Sequence, residues 1–301
     1  MASKVTLRHL QMMKMISETG NVSDAANRIG VSQSALSHRI REAERLLDTV
    51  LFFRRNKKLV PTSSGQRLLH SANMIINEIA HAEQDINKFS IGIEHIIRIG
   101  NEARCSYQWL PPFLDIYQQH HAHTDIEIVA DVSLDPLAAM REGVIDLAIT
   151  SGVAELSAFR SHTLFSDEMF AVLPADDPRA QQPFLTAQDF VNETYVTYHT
   201  TPDNKREYEQ LFSKYKLLPK KVIRAGVTDA VIEFVAQGHG ITIMPYWSVK
   251  PWLNHRALSL VRVTEHGIFI DWQVVTRKDE KKDSPVSLFV EHLIATDLLA
   301  L

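Results

Sequence analysis

The chain has 301 residues, of which 45% are hydrophobic and 23% are charged. These ordinary values exclude a disordered chain and a collagen-like repeat. At about 150 residues per domain, the length predicts two domains. No apolar run reaches the ~18 residues that span a bilayer, the N-terminus lacks a secretory signal, and the single cysteine, Cys105, cannot form an internal disulfide. We therefore expect a cytoplasmic protein with no membrane contact.

The net charge of −4 is distributed unevenly along the chain. Residues 1–60 contain eleven Lys and Arg against five Asp and Glu, a net +6, which leaves −10 for residues 61–301. A small basic segment joined to an acidic remainder indicates a segment that contacts a polyanion such as nucleic acid. Charge alone leaves open the alternative of an accidental surface imbalance.

Three consecutive helices are predicted in the basic segment. Thr6 can cap the first, Gly20 ends it, and a second is predicted from Ser23. A tight turn at Gly30 leads to Ser32, which can cap a third helix with one apolar face. In a helix-turn-helix, the N-terminal part of this helix enters the major groove, where Gln and Ser bond base edges. The alternative for its polar face is plain solvation. The candidate DNA-contacting residues of the helices are Ser23, Gln33, Ser34, Ser37, His38 and Arg41.

Two short apolar strands flank a basic turn over residues 51–61. This pattern is typical of a β-hairpin wing whose cations reach phosphate or the minor groove. Such phosphate contacts add affinity without reading sequence. The candidate wing residues are Arg54, Arg55 and Lys57.

The order and spacing of these motifs resemble the N-terminal domain of LysR-type transcriptional regulators. The residues that carry the resemblance are Ala25-Ala26, Ser32-Gln33-Ser34-Ala35-Leu36-Ser37, Ile40, Glu44, Leu47, Leu51-Phe52, Arg54, Thr62 and Gly65. One departure is Asp48, which stands where the family usually has Gly. The resemblance implies that residues 1–65 form a winged helix-turn-helix that reads double-stranded DNA as a dimer.

Residues 66–91 predict a long linker helix, because Gln66 to Ser90 include neither Pro nor Gly. Apolar residues recur there at the spacing of a coiled-coil seam, which Glu83 interrupts. The family pairs through such a helix, so the resemblance adds weight to a homodimer, with a homotetramer as further pairing. The alternative is packing on the chain's own body. The predicted seam comprises Leu69, Ala72, Ile76, Ile79 and Ile86.

Strand and helix patterns alternate through residues 92–301, which predicts an α/β architecture. Strands are predicted at Ile96–Gly100, Ile126–Ala130, Asp146–Thr150, Met169–Leu173, Tyr195–Tyr198, Val222–Ala225, Gly240–Met244 and Trp272–Thr276, and helices near Ser106–Gln119, Pro136–Glu142, Asp203–Lys216, Asp229–Gln237 and Ser284–Leu299. Glu142–Ile149 and Gln237–Pro245 resemble the family's effector-binding domain, which is similar to periplasmic solute-binding proteins. The resemblance implies two Rossmann-like lobes with an effector between them. Lobe I would span about 92–165 and 267–301, and lobe II about 166–266.

Polar residues follow the ends of four predicted strands, where open α/β sheets bind ligands. The first group is predicted to lie at the start of a helix, whose backbone amides favour a carboxylate, and Arg104 would add a charge-assisted bond. The alternative for each residue is an ordinary cap or turn. The candidate effector-binding residues are Glu102, Arg104, Cys105, Ser106, Thr150, Ser151, Tyr198 and Thr228.

A narrower resemblance, to the methionine-biosynthesis regulators within this family, concerns the effector. It is carried by Glu102, Cys105–Pro112, Ile149–Ser151 and Met244–Trp247. These regulators respond to homocysteine, so the resemblance implies a ligand with an ammonium, a carboxylate and a thiol. Either Glu102 or Asp229 would hold the ammonium, and Ser106, Ser151 or Thr228 the carboxylate. The alternative effector is another small acid or amino acid from a different pathway.

Motifs of enzymes are missing from the sequence. It has neither a nucleophile elbow nor a phosphate-binding glycine loop, and we expect His120, His121 and His123 to lie in a solvated loop without a metal. We therefore expect no catalytic site and no cofactor besides a small effector. The other partner of a regulator would be RNA polymerase. A small-molecule binding protein whose basic segment serves assembly is the rival class.

Overall fold

The computed structural model describes residues 3–56, 58–152, 157–198 and 207–300. The chain forms two compact units. One comprises Met1–Glu94 with Ala138–Ile145, and the other comprises His95–Leu137 with Asp146–Leu301. The predicted boundaries after residues 65 and 91, and those of the two lobes, stay predictions.

The first unit begins with the three predicted helices, which are confirmed. They are α1 (Leu7–Thr19), α2 (Val22–Ile29) and α3 (Gln33–Leu47). Helix α2 begins before the predicted Ser23, because the Asn21 side chain accepts a hydrogen bond from the Asp24 amide at 2.8 Å and so caps the helix. The helices enclose an apolar core whose fully buried members include Met12, Met13, Ile16, Leu36 and Ala43.

The turn after α3 keeps its glycine-like geometry although Asp48 occupies it. Asp48 has φ of +51°, a left-handed conformation that Asp adopts more readily than most residues. The predicted hairpin follows as β1 (Phe52–Arg55) paired antiparallel with β2 (Lys58–Pro61). The Glu44 carboxylate accepts a hydrogen bond from the Leu51 amide at 2.9 Å, which ties the hairpin to α3.

Helix α4 (Ser63–Phe89) is the predicted linker helix, with 27 residues and a length of about 40 Å. Thr62 caps it by accepting a hydrogen bond from the Gly65 amide at 3.0 Å. A side chain at position 65 would clash with the Leu51 carbonyl oxygen, which explains the glycine.

The predicted seam along α4 is partly wrong. Leu69, Ala72 and Ile76 pack into the core formed with the first three helices, and Ala72 is fully buried. The core of the first unit therefore uses the N-terminal half of the predicted seam. Further along, exposed apolar residues follow a 4-3-4-3 spacing that matches a coiled-coil seam. This exposed stripe comprises Ile75, Ile79, Ala82, Ile86 and Phe89.

The α/β prediction for residues 92–301 is confirmed. The strands are β3 (His95–Asn101), β4 (Thr124–Ile128), β5 (Leu147–Ser151), β6 (Phe159–Pro174), β7 (Thr194–Thr197), β8 (Lys221–Arg224), β9 (Thr242–Pro245), β10 (Leu258–Arg262) and β11 (Ile268–Arg277). The helices are α5 (Leu110–Tyr117), α6 (Pro136–Arg141), α7 (Thr228–Ala236), α8 (Tyr246–Val249) and α9 (Pro285–Ala295). The predicted helix Asp203–Lys216 begins outside the described residues, and its described part contains a π-helical turn, Tyr208–Ser213. Within the described ranges, no helix is both long and apolar enough to cross a membrane.

A seven-stranded mixed sheet carries most of the second unit. Its order is β10-β6-β11-β5-β3-β4, with β9 also paired to β6, while β7 and β8 form a separate parallel pair. Strands β6 and β11 are long and antiparallel, with a register shift between Trp272 and Gln273. The sequence missed β10 and the first half of β6, because polar residues such as Ser161, Thr163 and Ser166 hide the strand pattern of β6.

A buried carboxylate joins the two long strands to α8. Asp167 on β6 accepts hydrogen bonds from the Trp272 indole nitrogen on β11 at 3.0 Å and from the Trp247 amide in α8 at 3.1 Å. Burial raises the pKa of Asp167, although these hydrogen bonds oppose the shift. The carboxylate therefore fixes three elements at one point.

Candidate nucleic-acid interface and effector site

Helix α3 presents the predicted polar face to solvent. Ser32 caps the helix by accepting a hydrogen bond from the Ala35 amide at 3.2 Å, and Leu36 lies fully buried on the opposite side. The exposed side chains near the N-terminus of α3 are therefore accessible to the edges of bases. Of the candidates, Gln33, Ser34, His38 and Arg41 are exposed, Ser37 is half-buried, and Ser23 is exposed in the first turn of α2.

The hairpin presents its predicted cations. Arg54 and Arg55 are exposed on β1, and Arg55 lies opposite Lys58. The Leu59 amide donates to the Gly20 carbonyl at 2.7 Å, which anchors the second strand to the end of α1. Lys57 lies outside the described residues.

The first predicted element of the effector site needs a correction. A helix start near Ser106 was expected, but residues 102–109 are irregular and α5 begins at Leu110. Pro111 and Pro112 explain the difference, because proline fits only the first turn of a helix. The Ser106 hydroxyl accepts a hydrogen bond from the Gln108 amide at 3.3 Å, so it does not offer the expected helix-terminus site for a carboxylate.

Two of the predicted strand ends meet at Glu102. Its carboxylate accepts hydrogen bonds from both the amide and the hydroxyl of Ser151, each at 2.8 Å. A third strand end lies close by, because the Thr228 hydroxyl donates to the Ala103 carbonyl at 2.9 Å. Ser151 and Thr228 therefore donate these hydroxyl protons to groups of the protein itself, although each was one of three alternatives for binding a ligand carboxylate.

Arg104 forms a buried ion pair that the sequence did not reveal. Its guanidinium lies 3.0 Å from a Glu207 carboxylate oxygen, and both side chains are more than nine-tenths buried. The same guanidinium lies 5.2 Å from the centre of the Tyr198 ring. Burial lowers the pKa of Arg104, but Glu207 and then Glu102 more than offset this, so the net shift is upward.

The remaining candidates, Cys105, Thr150 and Asp229, lie in three different environments. Cys105 is buried, and its sulfur lies 3.3 Å from both the side-chain Nδ2 of Asn101 and the backbone carbonyl oxygen of Ser106. Burial raises the pKa of its thiol. Such a thiol is a poor nucleophile at neutral pH. Thr150 is buried, and its hydroxyl oxygen has no hydrogen-bond partner among the described residues. Asp229, the alternative ammonium ligand, is exposed at the start of α7.

Glu207 and Ser248 are the site residues that sequence reasoning missed. The Ser248 hydroxyl in α8 donates to the Arg104 carbonyl oxygen and so holds the loop that carries the guanidinium. Glu207 stands 103 positions after Arg104, in a segment with several charged residues and no motif. Only the folded chain brings these groups together.

Comparison with known families defines the class of protein. The family model described as "Bacterial regulatory helix-turn-helix protein, lysR family" matches residues 7–66. The family model of the LysR substrate binding domain matches residues 92–297. A helix-turn-helix joined to a substrate-binding domain defines a ligand-responsive transcriptional regulator, not an enzyme. The chain belongs to the LysR family of transcriptional regulators.

Among its relatives is the HTH-type transcriptional regulator MetR of Haemophilus influenzae, which is 31% identical over 94% of this chain and 92% of the relative. The regulatory domain of Neisseria meningitidis MetR, solved as a double cysteine-to-serine variant, is 25% identical with a TM-score of 0.58, over 67% of this chain and 94% of that domain. Full-length CbnR, solved in complex with its target DNA, is 18% identical with a TM-score of 0.62, over 96% and 99% of the two chains. The likeness to CbnR concerns the fold.

Proposed function

We propose that this regulator controls methionine biosynthesis and that homocysteine is its effector. The observation that supports an effector site is the buried ion pair of Arg104 and Glu207 beside Glu102, at the strand ends of the substrate-binding domain. A buried ion pair often stabilises a fold no more than apolar residues of the same volume would, which supports a functional role for these charges. The identity of the effector rests on the MetR relatives. The alternative is another small acid or amino acid.

We further propose how the chain meets its macromolecular partners. Two copies pair through the exposed stripe of α4, and each contributes one α3 and one wing to DNA. Dimers combine into a tetramer, and the effector alters DNA binding and so the recruitment of RNA polymerase in the cytoplasm. The proposed DNA contacts are Ser23, Gln33, Ser34, Ser37, His38, Arg41, Arg54, Arg55 and Lys57.

The two modes of DNA contact predict different results for Gln33→Ala and Arg54→Ala. Loss of the Gln33 amide is expected to lower discrimination at one base position by about 1–3 kcal/mol. Loss of Arg54 is expected to weaken specific and random DNA alike and to reduce the salt slope by about 1. Fluorescence anisotropy at several salt concentrations measures both, with Arg45→Ala, an exposed change at the far end of α3, as control. Equal losses on specific and random DNA for Gln33→Ala would contradict base reading.

The effector proposal is tested by calorimetric titration of the full chain with L-homocysteine and with L-methionine. We expect saturable binding of homocysteine and weaker binding of methionine, because the latter lacks the thiol. Absence of heat with both compounds would remove homocysteine as the effector. It would leave the family membership unchanged and direct the search to other small acids and amino acids.

A further inference from the structure

We propose that the cleft between the start of α1 and one side of α3 binds a phosphate group of the DNA backbone through Arg8 and Arg39. The inference rests on the proposed placement of α3 in the major groove. It adds a contact from α1, a helix from which no DNA contact was predicted. It does not depend on the identity of the effector.

An open cleft with a volume of about 700 Å³ lies between the first turn of α1 and α3. Arg8 lines the cleft from α1, and Ala35 and Arg39 line it from α3. The short side chain of Ala35 leaves space between the two helices. The cleft can therefore admit a group from outside the protein, with a guanidinium on each side.

A buried histidine joins the two helices within this cleft. His9 is 3% exposed, and its Nδ1 accepts a hydrogen bond from the Thr6 amide at 3.1 Å. The proton of the neutral ring is then on Nε2, which lies 3.4 Å from a carboxylate oxygen of Glu42 and can donate to it. The start of α1 is thereby fixed against α3, so the walls of the cleft are held in place.

The cleft carries a net positive charge. Arg8 is exposed and Arg39 is half-buried, while Glu42 is the one acidic residue among the described residues that line the cleft. Neither arginine forms an ion pair or a side-chain hydrogen bond with another residue of the described ranges. A guanidinium binds phosphate through charge-assisted and often bidentate hydrogen bonds. A phosphate group therefore matches the charge and the free donors of the cleft.

The cleft also borders the proposed base-reading face. Its lining residues on α3 recur at helical spacing and form one stripe, which comprises Ala35, His38, Arg39 and Glu42. His38 belongs both to this stripe and to the proposed DNA contacts. A helix is about 10–12 Å wide and the major groove about 12 Å, so a helix with one face on the bases has its sides near the backbones. The stripe would therefore lie toward the phosphates of one strand.

The inference is tested with the double variant Arg8→Ala with Arg39→Ala. We expect it to bind random-sequence duplex DNA about 10-fold more weakly or worse, because a charge-assisted contact is lost. The slope of the logarithm of affinity against the logarithm of salt concentration should fall in magnitude by about 1. Fluorescence anisotropy at several salt concentrations measures both. Random DNA is sufficient, since a phosphate contact does not require a particular sequence.

The matched control removes the same charge at positions outside the cleft. Arg28 and Arg45 are exposed on α2 and α3, and we expect Arg28→Ala with Arg45→Ala to change the slope by less than half as much. Equal losses in the two double variants would show a general charge effect and would overturn the phosphate site. If the cleft variant does not fold, Arg8→Ala alone, compared with Arg28→Ala, decides the question.

Two further variants separate this inference from a structural role and from the proposed DNA face. Arg8→Lys with Arg39→Lys keeps both charges and should retain most of the salt slope, whereas a structural role of the guanidinium groups would lower the unfolding temperature without this rescue. If the cleft variant matches its control while Arg54→Ala reduces the slope, the cleft is wrong and the wing contact stands. If neither reduces it, the proposed DNA-binding surface is wrong as well.

Discussion

Replacing Ile79 and Ile86 together by aspartate is expected to convert a dimer into a monomer and to lower affinity for specific DNA about 100-fold or more. These residues are 38% and 63% exposed within the single chain and lie seven positions apart on the stripe of α4. In a paired helix both would be desolvated, and four buried aspartates per dimer would oppose association. A monomer reads one half-site and loses the contacts of the second.

The matched control for this variant adds the same charges elsewhere on α4. Gln84 and Asn87 are exposed and lie outside the stripe, so Gln84→Asp with Asn87→Asp is expected to leave the dimer intact. Analytical ultracentrifugation measures the mass, and fluorescence anisotropy measures DNA affinity. A stripe variant that remains dimeric would show that pairing uses another surface.

Replacing Asp167 by alanine is expected to lower the free energy of unfolding by about 2–3 kcal/mol. The change leaves the Trp272 indole N–H and the Trp247 amide buried without their acceptor. It also loosens α8, whose Ser248 holds the Arg104 loop, so effector affinity should fall as well. Urea unfolding followed by tryptophan fluorescence measures the stability. Asp271→Ala, which removes an exposed carboxylate from β11, is the control and should cost little.

The titration of Asp167 predicts a pH dependence for the conservative variant Asp167→Asn. Because burial raises the pKa of Asp167, the folded state holds this proton more tightly than the unfolded state. The stabilisation from this group is present below the ordinary pKa of aspartate and is lost as the pH rises through the raised value. Asparagine does not titrate, so the wild type should lose stability relative to Asp167→Asn as the pH rises. A difference that is constant with pH would contradict the raised pKa.

Local signals along the chain were sufficient to predict the helix-turn-helix and the hairpin. Ser32 caps α3 because a hydroxyl before a helix can satisfy a free amide, which depends only on neighbouring residues. Gly20 adopts φ of +74° at the end of α1 for an equally local reason. The start of α5 was missed even though Pro111 and Pro112 carried the signal.

The seam of α4 shows where local periodicity becomes ambiguous. A long helix with apolar residues on more than one face can bury either face, and the pattern does not say which neighbour covers it. The structure buries Ala72 against the first unit's core and exposes Ile75, Ile86 and Phe89. The packing of α1 against α4 determines which face of α4 is buried.

The sequence by itself determined the family-defining parts: the three short helices, the hairpin, the long linker helix and the α/β alternation of the remainder. Each rests on the spacing of apolar residues and on caps and turns, which act between residues close in the chain. The tertiary structure alone decided the partner of Arg104, the role of Asp167 and the face that α4 leaves exposed. Those features join residues that are far apart in sequence and come into contact only in the folded chain. A charge that folding removes from water needs a partner there, and the local sequence does not specify that partner.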